Sequence, residues 1–401
     1  MGMRVTENMK FNSMIENIFN VQTDYNNIME KMSSQKEINR TSDNPVGMTR
    51  ILDFRKTKSS IEQYNSNIDS ADAWLSSSES KLSAASDLIS KARELAVREA
   101  SSTATQTTRI LAADEVQSLM DEMLSLANST LNGRYLFSGS ETDTLPFSSS
   151  ESSARIDDAG KAEGSEFDGD FTSSGSYNGA SNKTYVVKIL NNSTSLADAG
   201  YSISTDGGKT WVAGTEDLSA GPITLGDGVQ LTFEDTGSNH LTEDDIFYVK
   251  AYSAGYYCGN NESLSSDVQA DSPVTYNLTG QEVFTSSGSE GVDIFKCLAG
   301  LKTAMQNNDQ EGIQTQIGNL EDAQNQIVLN VSKCGTRMNR LEIAKSNLTD
   351  LDLKITQLTS NIEDADITQL VTQFTMKETS LNACYSMASE IANTSILNFL
   401  K

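Results

Sequence analysis

His240 is the only histidine in this 401-residue chain, and that removes much of the chemistry a chain of this length could carry. Metal helices with paired histidines, imidazole clusters and mechanisms with two imidazoles all need a second ring. His240 lies in the polar run Gly237, Ser238, Asn239, Thr242, with no nucleophile and orienting acid at matching positions. Cys258, Cys297, Cys334 and Cys384 are too few and too scattered for a disulfide framework or a zinc cluster. Cys334 and Cys384 fall on apolar helical faces, where a thiol is usually a small buried hydrophobe; spacing leaves a Cys258–Cys297 bridge open. The carboxylates Glu243, Asp244 and Asp245, or Asp168 and Asp170, lack the spacing of a calcium loop and read as solvated acidic turns. Tyr256 and Tyr257 read as packing rather than as a sugar platform, and no glycine loop with a following lysine sits between a strand and a helix. No catalytic residue, metal or cofactor is therefore expected.

What the sequence does specify is apolar stripes. Phe11, Met14, Ile18, Val21, Tyr25, Ile28 and Met32 alternate steps of three and four, which places them on one helix face. Ala344, Leu348, Leu351, Ile355, Leu358, Ile362 and Ala365 repeat that spacing near the other end, with a shortened step at Leu341 to Ala344. Beyond them Ile367, Leu370, Phe374, Leu381, Cys384, Ala388 and Ile391 continue to Ile396, Leu397, Phe399 and Leu400. A lone amphipathic helix is marginal in water. The two ends are expected to pair with each other or with other copies, as in a subunit built to polymerise.

Between these ends the composition changes twice. From Pro45 the period is helical, predicting one long helix through Ala96 and a second over Thr108–Leu131 after the Ser/Thr-rich run from Ser101. Asp43, Asn44, Pro45 and Gly47 mark its start, a capping side chain preceding proline at the first helical position. Residues 141–290 hold 17 of the 26 glycines, and carry 24 acidic against 6 basic residues. Strands are predicted at Tyr185–Leu190, Tyr201–Ser204, Thr210–Ala213, Val229–Glu234 and Ile246–Tyr252, with Asp206-Gly207-Gly208 as a hairpin turn. Helical period resumes near Val292. The expected fold class is α+β: a long antiparallel helical bundle or coiled-coil shaft built from both chain ends, with a β-rich inserted outer domain. The expected division is an N-terminal assembly helix (1–42, unordered in the isolated chain), two shaft halves (43–140 and 291–364), the outer domain (141–290) and a C-terminal assembly helix (365–401).

A net charge of −25 repels phosphate backbones and anionic lipid, so neither nucleic acid nor membrane is an expected partner. No run of about 18 apolar residues spans a bilayer, and Glu7, Asn8, Lys10 and Asn12 interrupt the apolar core of a cleaved signal. Export, if it occurs, is expected by a route without one.

Ile38-Asn39-Arg40-Thr41-Ser42-Asp43-Asn44-Pro45-Val46-Gly47 resembles the segment of bacterial flagellins and their relatives that joins the terminal helix to the first long helix. Ile362 to Leu400, with Asp364-Ala365-Asp366, is similar to the family's terminal helix. Asn132, Gly133, Arg134, Tyr135, Leu136, Phe137, Ser138 and Gly139, followed by Pro146-Phe147, resemble the hook-associated branch more than filament flagellin, which stays as the alternative. Cysteines at 334 and 384 depart from the family's usual arms. The resemblance implies secretion unfolded through the flagellar type III channel, with the N-terminal segment as signal and a cytoplasmic export chaperone on the C-terminal helix. It further implies a ring of copies at the hook–filament junction of the bacterial flagellum, above a preceding hook-associated protein, on which flagellin polymerises. The terminal stripes, including Leu370, Phe374, Leu381, Ala388, Ile391, Leu397 and Leu400, would make those contacts. A surface enzyme or adhesin with the β insert as its active part is the reading from another class.

Overall fold

The computed structural model describes residues 2–234, 240–270, 272–286 and 291–399, with side chains in the terminal helices described at Met9 and from Asn12 to Glu390. Two compact units divide the chain, one of residues 1–65 with 345–401 and one of 66–344.

The first unit contains α1 (Gly2–Ser34), α7 (Ile367–Phe399), the start of α2 (Pro45–Glu99) and the end of α6 (Gln310–Glu363). Helix α2 starts where the sequence marks it. Asn44 Oδ1 accepts the Gly47 N–H at 2.9 Å, and Pro45, at the first helical position, has no N–H to leave unpaired. Asp43 accepts the N–H groups of Arg40 and Asn39 at 2.8 and 3.0 Å, and these bonds hold its carboxyl below the usual range. Gly47 is required by packing: a Cβ there would stand 2.6 Å from Cδ1 of the buried Ile38. Lys58 opposite Asp352 and Arg55 on Glu363 show α2 and α6 running antiparallel in this unit.

In the second unit the same two helices meet through Ser90 and Gln324 and through Arg93 and Glu321. They are joined by α3 (Gln106–Ala127), α4 (Gly280–Phe284) and α5 (Ile294–Gln306). Ile68, Leu75, Leu82, Ile89 and Ala96 of α2 are buried at steps of seven, as are Ile313, Leu320 and Ile327 of α6, so heptad seams form the helical core.

The strands begin with a small hairpin, β1 (Thr130–Leu131) and β2 (Arg134–Tyr135), then β3 (Phe147–Ser152), β4 (Arg155–Ile156), β5 (Gly160–Lys161) and β6 (Asp170–Gly175). They continue with β7 (Lys183–Ile189), β8 (Tyr201–Ser204), β9 (Val212–Ala213), β10 (Ile223–Gly226), β11 (Val229–Glu234) and β12 (Ile246–Tyr252). The last three are β13 (Gly255–Tyr257), β14 (Ser265–Asp267) and β15 (Pro273–Thr275). The larger sheet runs β4-β12-β7-β8-β9, with β5 also on β12, and the smaller β10-β11-β6, all antiparallel. Alternate residues of β11 (Val229, Leu231, Phe233), β12 (Phe247, Val249, Ala251) and β7 (Tyr185, Val187, Ile189) share one core. At its centre Phe233 and Phe247 meet edge to face at 4.9 Å.

Several boundaries differ from the sequence reading. Helix α3 ends at Ala127, short of Leu131, because Asn128 caps it with a side chain held by the backbone of Phe147 (Nδ2 to O 2.9 Å, Phe147 N to Oδ1 3.0 Å). The chain then turns through left-handed Asn132 and Gly133 (φ 53° and 81°). The returning helical region is broken after Gln306, where Asn308 is left-handed and the Asp309 side chain caps the start of α6 through Gly312 N–H. Strand β9 is shorter than Thr210–Ala213, since Asp206 draws the N–H groups of Lys209 and Thr210 into the turn. Strands β1 to β6, β10 and β13 to β15 were not read from the sequence; most are two or three residues long, and β3 and β6 are Ser-rich with little alternation, while β10 alternates over only four residues.

Candidate assembly interface

The stripe residues at opposite ends of the sequence come together. Tyr25 and Phe374 stack at 5.1 Å, Asp24 accepts from Lys377 at 2.6 Å, and Tyr385 donates to Gln22 at 3.0 Å. Partner numbers rise on one helix as they fall on the other, so α1 and α7 are antiparallel. Ile28, Leu370 and Leu381 are buried, and Met14, Ile18, Val21, Tyr25, Met32, Phe374, Cys384 and Ala388 are half-buried. The side chains of Phe11, Ile391 and Leu397, and Leu400 entirely, lie outside the described residues.

One seam does not cover these helices. Phe19 and Met376 are each 66% exposed, and Met9, Met29, Val371 and Met387 are exposed as well. Each such side chain gains roughly 1.5–3 kcal/mol when fully buried. Of the stripe on α6, Leu348 and Ile355 are buried while Leu351 and Leu358 remain exposed. The same heptad therefore serves an internal seam and an open face.

The second motif lies in the other unit. Leu136 and Phe137 are fully buried, and Phe137, Phe147, Phe284 and Phe295 form an aromatic knot with centroids 5.2–6.2 Å apart. Tyr257 joins it at 5.1 Å from Phe147 and donates to the Phe137 carbonyl at 3.1 Å; burial raises its pKa well above the usual value. Gly139 has φ +76°, and a Cβ there would overlap the backbone and side-chain oxygens of Asn260. Asn260 in turn accepts the Ser140 N–H at 2.8 Å and donates to Ser140 Oγ at 2.7 Å. Asn132, Gly133 and Tyr135 form the hairpin that delivers Phe137 to this knot. Sequence reasoning missed the polar anchors Asn128 and Asn260, and buried Asn182, which donates to the Gly259 carbonyl at 2.6 Å and accepts the Ser253 N–H at 2.8 Å; no local period distinguishes them from loop asparagines.

The groups first considered for chemistry are dispersed. Asp245 is buried, taking Ser165 Oγ and the N–H groups of Glu166 and Thr242, whereas Asp244 pairs with Lys188 at 2.7 Å. His240 is exposed and its backbone N–H donates to Asp168 at 3.0 Å. Cys258 and Cys297 are free thiols. Among the described residues no group of three His, Cys, Asp or Glu is placed to hold a metal ion, and no helix is long and apolar enough to cross a membrane.

Long helices from the two chain ends that pack together, with a strand-rich region between them in the sequence, mark the flagellin class. The pattern of the bacterial flagellin N-terminal helical region matches residues 5–142 and that of the C-terminal helical region residues 305–400. The chain carries both halves of that family's signature and belongs to the bacterial flagellin family. It is similar to flagellar hook-associated protein 3 of Escherichia coli, 28% identical over 36% of this chain. The match spans about half the length of that relative (46%). It is also similar to a flagellin of Clostridium tyrobutyricum, 22% identical over 88% of this chain and 92% of the relative. A putative flagellar hook-associated protein of Vibrio parahaemolyticus shares the fold at a TM-score of 0.50 and 16% identity, over 80% of this chain and all of that structure.

Proposed function

We propose that this chain is a structural subunit of the bacterial flagellum that sits outside the cell as a ring between hook and filament. It would adapt a bendable hook to a stiff filament and offer flagellin a surface to grow on. The observation that carries assembly is the set of large apolar side chains left exposed along the paired terminal helices, Met9, Phe19 and Met376 the most exposed of them. The place within the flagellum is supported by the 132–139 segment and by the similarity to hook-associated protein 3. In this reading the terminal helices line the inner tube, the shaft helices form the wall, and the acidic β region faces water.

Further steps belong to the same proposal. The arms are unordered in the isolated chain and order on assembly. The chain is secreted unfolded through the type III channel, its C-terminal helix held by a cytoplasmic chaperone, and adds above a preceding hook-associated protein. Its work is mechanical, without catalysis. The second reading, a filament flagellin, is favoured by the similarity to the Clostridium protein along most of both chains; growth of long filaments from the purified chain alone would decide for it. Deleting the gene and viewing the cells by electron microscopy tests the junction role. Hooks without filaments, with flagellin lost to the medium, are expected; normal filaments would rule the role out.

A further inference from the structure

Both larger sheets are built from one continuous run, from Arg155 at the start of β4 to Tyr252 at the end of β12. The chain enters that run from β3 and leaves it into β13, and these two strands pair with each other, Gly255 opposite Ser152 and Tyr257 opposite Phe147. The backbone therefore joins the two-sheet region to the helical core of the second unit through a single two-stranded ribbon. Such ribbons twist strongly and are marginal by themselves, so a swinging joint is the default expectation.

A third segment lies against this ribbon. Asn182 sits between the smaller sheet and the larger, just ahead of β7, and is 2% exposed. Its backbone N–H donates to Gln281 Oε1 on α4 at 2.9 Å. Its Nδ2 donates to the Gly259 carbonyl and, at 3.3 Å, to that of Tyr257. Its Oδ1 accepts the Ser253 N–H and, at 3.1 Å, the Ser253 hydroxyl. Ser253 precedes β13 and Gly259 follows it, so one side chain is bonded to the chain at both ends of that strand. A complete network closed to water is rigid, and breaking it leaves buried groups unpaired. The remaining tie, Lys250 on β12 to Glu141, is partly exposed and contributes less.

We infer that Asn182 splints the β3–β13 ribbon, so that the two-sheet region and the helical core turn as one body. Bending the ribbon changes the distance from Ser253 to Gly259 or draws β7 away from α4, and either motion strips Asn182 of partners it cannot replace in a buried site. Asn182 is thus a positioning residue: it fixes the angle at which the acidic surface of each copy is presented. The joint is a property of the single chain and does not depend on where in the flagellum that chain sits.

Residual dipolar couplings on the full-length, unassembled, deuterated chain test it, comparing amides of residues 66–99, α3 and α5 with those of β7, β8, β11 and β12. In the native chain one alignment tensor should fit both sets. Asn182→Ala should require two tensors, with the couplings of the strands reduced by roughly a third or more, as when a body passes from rigid to flexible. Gln281→Met, which removes only the acceptor on α4, should move the couplings in the same direction. Amide shifts inside β7, β11 and β12 should stay near native in both variants, showing intact sheets. Two tensors in the native chain would overturn the inference, as would a single tensor in Asn182→Ala with its sheets intact. Should Asn182→Ala lose its sheets, an unchanged single tensor in Gln281→Met would overturn it, and so would loss of the sheets in both. None of these results bears on the microscopy that tests the junction role.

Discussion

At the residue scale, the chain's most constrained positions are those where backbone and packing leave one residue type. Gly139 is left-handed and closed over by Asn260, so Gly139→Ala should cost on the order of 3 kcal/mol, combining strain with displacement of a buried anchor. Urea unfolding followed by near-ultraviolet circular dichroism, which reports Tyr257 in the aromatic knot, would measure it; an unchanged midpoint would mean the loop relaxes freely. The thiols offer a second check. Burial pushes Cys297 and Cys334 up to about 11, so their thiolate fraction at pH 8 is roughly a hundredfold below that of an unshifted thiol. Iodoacetamide at that pH should label them only after unfolding, and rapid labelling of the native chain at either would contradict their placement. The need for Asn44 and Pro45 at the start of α2 was legible because capping and proline chemistry act over a few residues. The pairing of Glu363 with Arg55 and Lys36 was not, since these partners lie 308 and 327 positions away.

At the scale of elements, heptad spacing located the long helices and left their ends inexact. Helix α3 stops where Asn128 is captured by Phe147, and the shaft breaks at Asn308, both decided by tertiary bonds rather than by period. Strand β11 alternates buried and open positions and β12 does so along most of its length, and β7 and β8 carry the aromatic and β-branched residues typical of strands, whereas β6 has Phe171 as its single large apolar residue. The stripe on α1 was legible as a stripe; its partner was left between α7 and another copy, and the structure supplies α7. Phe374→Ala removes the ring stacked on Tyr25, a deletion that in a closed core costs about 3–5 kcal/mol. Because the arms are proposed to order only in the assembly, the isolated chain should melt as before, and assembled particles should fall apart at lower temperature. A lowered melting point in the isolated chain, with assemblies unaffected, would reverse that assignment.

At the scale of the whole molecule, one sequence has to fold a stable interior while withholding part of its apolar surface for neighbours. The helical core and the two-sheet core serve the first need; in the proposed function the outward residues of α1 and α7 serve the second. The open face can be tested without removing the N-terminal segment, which the proposal also uses for export. Phe19→Asp combined with Met376→Asp changes two residues that touch neither core and are each 66% exposed. Expressed in place of the native protein, this variant should be secreted into the medium as a folded chain, while electron microscopy shows hooks bearing no filaments. Filaments of normal length and number on those cells would contradict the claim that these side chains are buried among sister subunits.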